Sequence, residues 1–117
     1  MDAAKENTEI GDAWYIPEVQ IKTGKDGRRY WYGHRLSLDY EQNNRGQRQP
    51  IAVVLPSKFG GARFCVDSDS TGGGPGWQVS GELPNLTVSP SINLGGIYHG
   101  WIQSGVISDD CEGRKFS

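Results

Sequence analysis

Apolar and polar residues alternate along this chain in short runs, and no stretch of ten residues carries a helical period. Val19-Gln20-Ile21-Lys22 and Arg29-Tyr30-Trp31-Tyr32 alternate on either side of Lys25-Asp26-Gly27. The Asp-Gly pair supplies the positive φ of a tight turn, so the pattern predicts a β-hairpin over 18–33. Ile51-Ala52-Val53-Val54-Leu55 is continuously apolar and reads as a buried central strand, stopped by Pro56. Arg63-Phe64-Cys65-Val66 follows as a short strand. Trp77-Gln78-Val79-Ser80, with Trp77 and Val79 inward, and Leu86-Thr87-Val88-Ser89 are two more, and Pro90 breaks the ladder before Ser91-Ile92-Asn93. Tyr98 to Gln103 and Val106-Ile107-Ser108 flank Ser104-Gly105, a two-residue hairpin connection. The sum is an all-β or mainly β domain, a small antiparallel sandwich or rolled barrel with several hairpins and little or no helix.

Composition supports this. The 17 Gly and 6 Pro are spread as punctuation between strands. Residues 1–12 are polar without periodicity and read as a flexible tail, leaving 13–117 as a single β domain. Residues 41–49 are wholly polar and read as a loop that is mobile or ordered by a partner. The longest apolar run has five residues, Ile51 to Leu55, far short of the roughly 20 a membrane helix needs. No apolar segment follows Met1, so a cytosolic product is expected, with Cys65 and Cys111 as free thiols.

The net charge of −2 hides a pattern. Residues 22–63 hold nine Lys and Arg against three acids, between two flanks that are each net negative. Such a segment is either an anion-binding face or is neutralised when the acidic ends fold back. Arg28-Arg29-Tyr30-Trp31-Tyr32-Gly33-His34-Arg35 interleaves cations with aromatics, as surfaces that bind single-stranded nucleic acid do. The same residue types dominate protein interfaces. Arg28, Arg29, Trp31, Arg35, Arg45 and Arg48 are therefore the candidate binding residues.

Catalytic and metal signatures are weak. Asp67-Ser68-Asp69-Ser70-Thr71-Gly72 begins like a calcium loop, but Gln78 stands where the bidentate Glu belongs, and a solvated turn is the better reading. Gly72-Gly73-Gly74-Pro75-Gly76 lacks the Lys and helix of a phosphate loop. Cys65, His99 and Cys111 are isolated in sequence and are the weak metal candidates. No cofactor is expected and no catalytic residue is assigned.

The carboxyl-terminal half carries a recognisable pattern. Gly76-Trp77-Gln78-Val79-Ser80-Gly81-Glu82, then Thr87-Val88-Ser89-Pro90-Ser91-Ile92-Asn93, then Tyr98-His99-Gly100-Trp101-Ile102 with Gly105 and Ile107 resembles a family of small uncharacterised proteins of tailed phages and prophages, some labelled ammonia monooxygenase. The resemblance covers about 51–117 and implies a scaffold half without an established activity. Trp77, Pro90, His99 and Trp101 are its structural residues, with Trp77 and Trp101 as large core rings. Longer relatives carry a zinc-like set of Cys and His. Here Cys65 stands alone, Tyr98 takes the place of a Cys, and Asp110-Cys111-Glu112-Gly113 lacks the final His.

The expected function is a non-catalytic phage accessory protein acting in the bacterial cytoplasm and binding a host or viral protein, as in host takeover or anti-defence inhibition. A minor virion component and a nucleotide- or single-stranded-nucleic-acid-binding module are the alternatives. Partner specificity is expected in residues 1–50.

Overall fold

A computed structural model describes residues 9–57, 60–69, 77–94, 98–111 and 113. Its organising element is β5 (Ile51–Ser57), in which all seven residues are buried. It pairs antiparallel with β1 (Ala13–Tyr15) on one side and with β6 (Gly60–Cys65) on the other. An uninterrupted apolar strand is what a sheet covered on both faces requires, and strand alternation divides its side chains between two cores. Ile51, Val53 and Leu55 enter one cluster with Phe64, Trp77, Leu86, Val88, Ile92, Tyr98 and Ile102. Ala52 and Val54 enter the other with Trp14, Ile16, Trp31, Leu36, Tyr40 and Cys65.

The first cluster is covered by a four-stranded antiparallel sheet in the order β10-β9-β8-β7. Its strands are β7 (Gln78–Ser80), β8 (Thr87–Asn93), β9 (His99–Gln103) and β10 (Val106–Ile107). The second cluster is covered by β2 (Lys22–Thr23), β3 (Arg29–Trp31) and β4 (His34–Arg35), with a short helix, α1 (Leu38–Asn43). The fold is mostly β, in three antiparallel sheets that do not close into a barrel. No described helix is long and apolar enough to cross a membrane.

Several expectations are corrected. Val19 is not in a strand. Glu18–Gln20 form a 3-10 helix with Val19 76% exposed, so the first hairpin shortens to β2 and β3. The polar run 41–49 is not a free loop, because its first residues end α1. Ser37 caps that helix by accepting from the Tyr40 amide at 3.1 Å, acids occupy its first turn, and Tyr40 is buried beneath it. Pro56 does not stop β5, which runs to Ser57 beside β6. Nor does Pro90 end its strand. β8 continues through it, and the ladder to β9 absorbs a register shift between Val88 and Ile92, as a bulge does around a residue that lacks an N–H.

The Ser104-Gly105 hairpin connection forms as read, with φ of 49° and 83°. Behind it, Gly100 is buried because the Tyr98 hydroxyl occupies the space a side chain would need; a Cβ there would lie 2.1 Å from it. Residues 9–12 turn back onto β5, Gly11 donating to the Val54 carbonyl at 2.9 Å and Asp12 accepting from the Val54 amide at 2.8 Å. The remainder of the 1–12 tail lies outside the described residues.

Candidate functional site

The structure gathers the candidate arginines on the side of β5 that faces α1 and the β2–β3–β4 sheet, and pairs every one of them with a carboxylate. Register sends Arg29 and Trp31 inward from β3. Trp31 is 2% exposed, its indole N–H donates to Gln20 Oε1 at 3.0 Å, and its ring meets those of Trp14 and His34. Arg29 is 8% exposed and is gripped by Glu41 through Nε and Nη2 at 2.9 and 3.0 Å, while Nη1 reaches Glu18 at 2.7 Å. The Glu41 hydrogen bonds raise the Arg29 pKa and hold it charged against its burial. Arg48 forms a two-pronged pair with Asp67 at 2.7 and 2.8 Å. Burial opposes its charge, and Asp67 more than offsets that penalty. Arg35 meets Asp69 at 2.6 Å, Arg28 meets Asp69 at 3.6 Å and donates to the Leu36 carbonyl, and Arg45 lies 3.6 Å from Glu41.

The five candidate arginines of the basic middle segment are thus paired within the fold. Their partners come from before that segment (Glu18), within it (Glu41) and after it (Asp67, Asp69). The calcium-like reading of Asp67 to Gly72 fares accordingly. Asp67 is 3% exposed, is spent on Arg48 and also accepts from the Ile51 amide at 2.9 Å, so it is a buried anchor and not a solvated turn. Ser70 to Gly76 lie outside the described residues.

Three of the candidates line a cleft of about 490 Å³ with Glu18, Tyr40 and the 46–49 turn. Arg29 and Arg48 belong to its floor and Arg45, 55% exposed along its side chain, to its rim. The Tyr40 ring lies under the Arg48 guanidinium at 5.4 Å, and burial pushes its hydroxyl up to about 12, so it stays a neutral donor to the Arg48 carbonyl. The cleft offers fixed N–H groups and no nucleophile with a neighbouring base.

Several large aromatic and aliphatic side chains also stay in water. Tyr32 and Gly33 form the two-residue turn of the β3–β4 hairpin with φ of 45° and 86°. Tyr32 is 73% exposed there and only edges against Trp31 at 5.5 Å. The alternation Arg29 to Tyr32 predicts a strand through this residue; the signal against it is the following Gly, which makes the pair a turn. Trp101 is 50% exposed on the outer face of β9, so it is not a core ring, whereas Trp77 is buried at 6%. The other buried tryptophans are Trp14 and Trp31, in the second cluster on the opposite side of β5.

His99 is half-buried on β9, its Nε2 3.2 Å from the Ser91 hydroxyl and its amide donating to Asp110 at 2.8 Å. Cys111 donates its amide to the His99 carbonyl, while Cys65 is sealed in the tryptophan cluster on the far side of β5. Among the described residues no three His, Cys, Asp or Glu side chains converge as a metal site. Comparison with known proteins gives no match to a family model, to a curated protein or to a solved structure.

Proposed function

We propose that this chain is a non-catalytic, phage-encoded accessory protein that docks on another protein, of the host or the phage, in the bacterial cytoplasm, with the β3–β4 hairpin tip as its anchor. One observation carries the reading: a bulky aromatic sits in the left-handed region at φ 45° and is 73% exposed. Asn or Gly is the low-cost occupant of that position, and a Tyr there costs about 1 kcal/mol of backbone strain. Strain that gains no burial in the free protein is a mark of recognition. Exposed Tyr and Trp are the side chains that anchor protein interfaces. The internal pairing of the arginines weighs against a polyanion, which needs free cations along its track.

Replacing Tyr32 with Asn tests this, because it relieves the strain while removing the anchor. Affinity capture from infected cells is expected to give one dominant protein with the wild type and not with Tyr32→Asn, while the variant unfolds at the same or a higher temperature. Undiminished capture by the variant would overturn the anchor. Tight, salt-sensitive binding of a single-stranded oligonucleotide would favour the nucleic-acid reading instead.

A further inference from the structure

The cleft beside α1 already contains a lightly held carboxylate, and that carboxylate shows what the position accepts. Glu41 grips Arg29 from behind with both oxygens, which fixes the plane of the guanidinium. The remaining nitrogen, Nη1, meets Glu18 at 2.7 Å. The two pairs differ in setting: the Glu41 side chain is 15% exposed and that of Glu18 67%. An ion pair with one partner so exposed contributes little, so exchanging Glu18 for another carboxylate costs little. Glu18 is also carried on a single-turn 3-10 helix whose N-cap makes no side-chain hydrogen bond.

Arg45 adds the second arm. Its nearest carboxylate oxygen, Glu41 Oε2, is 3.6 Å away, beyond hydrogen-bond length, and Arg29 Nη2 already donates to that same atom at 3.0 Å. The Arg45 guanidinium therefore stands beside that of Arg29 with its own donors little used. Arg29 is held on both sides and charged, Arg45 is close with its side chain 55% exposed, and an open cleft of about 490 Å³ adjoins both.

We infer that this cleft is a carboxylate-recognition site for an acidic side chain of a protein partner, with Glu18 as an intramolecular placeholder that the incoming carboxylate displaces from Arg29 while Arg45 closes on it. The inference deepens the docking function proposed above and rests on it for the source of the carboxylate. A run of phosphates does not fit, since Arg28, Arg35 and Arg48 remain locked to buried or half-buried acids.

The test is an NMR titration of the isotope-labelled full chain with N-acetyl-tetraglutamate amide, following the Arg29 and Arg45 Nε–H signals and the Gly46 amide. These signals are expected to move together. Glu18→Ala is expected to tighten the midpoint about two- to fivefold and Arg45→Gln to weaken it by a similar factor, the range of an exposed ion pair. Both replaced side chains are largely in water, so the fold stands, and unchanged signals elsewhere check it. Shifts scattered away from these residues, or a Glu18→Ala midpoint equal to the wild type, would overturn the inference. So would inorganic phosphate that moves the same signals as tightly as the peptide. Tyr32→Asn is expected to leave the titration unchanged, so the hairpin anchor and the carboxylate site fail separately.

Discussion

On one side of β5 the domain packs carbon against carbon; on the other it packs rings and ion pairs. The β7–β10 side joins Val53 and Leu55 to Val88, Ile92 and Ile102, and its polar residues lie mostly on the outer face. The α1 side places four tethered groups around its tryptophans, Arg29 with Glu41 and Arg48 with Asp67. Aliphatic packing is non-directional and tolerates exchange of similar volumes. A desolvated ion pair is directional: each partner is an unmet charge without the other. The second side is consequently where single substitutions are most damaging and paired ones most forgiving.

Asp67→Ala is expected to do the most harm, about 3–5 kcal/mol, by stranding Arg48 and the Ile51 amide. The double change Asp67→Leu with Arg48→Met is expected to recover the share due to the stranded Arg48 charge in a denaturant titration, leaving the share of the Ile51 amide, which still lacks its acceptor. If the double variant is as unstable as the single, the ion pair is not what sets this side apart.

A smaller effect comes from pH. His34 stacks on Trp31 at 5.7 Å and meets Phe64 edge-on at 5.8 Å, and burial lowers its pKa below that of a free imidazole. The unfolded chain therefore binds a proton that the folded chain refuses. Stability is full above the unfolded value of about 6.5 and falls as pH drops below it through the lowered folded value. The melting temperature is expected to track this, and His34→Gln is expected to flatten the slope in that window.

The smallest effect separates the two thiols. Cys65 lies in the tryptophan cluster, and burial pushes its thiol well above the ordinary range, whereas Cys111 is exposed. An alkylating reagent is expected to label Cys111 in the native protein, and Cys65 only after unfolding. Native labelling of Cys65 would mean that the ring-packed side opens first.

Much of the strand framework was legible because alternation directly reports which face of a strand is buried. The run Ile51–Leu55 and the Ser104-Gly105 turn are read at sight. The helix Leu38–Asn43 escaped, because six residues are too few to show a period, although Ser37 followed by Asp39 and Glu41 carries its N-terminal signal. Tyr32 escaped because it continues the alternation of Arg29 to Trp31, which outweighed the turn signal of the following Gly33. Trp101 escaped because its burial depends on which face of β9 the neighbouring sheet covers.

The candidate cleft was only half visible. Arginines stand out in a sequence, but their partners do not: Arg48 and Asp67 are separated by 19 positions and Arg29 and Glu41 by 12. Local sequence determined the strands, their turns and the basic stretch, since these follow from the periodicity and φ preferences of neighbouring residues. Which charges remain available to another molecule was decided by tertiary structure alone, because pairing across the fold cancels a charge that composition still counts.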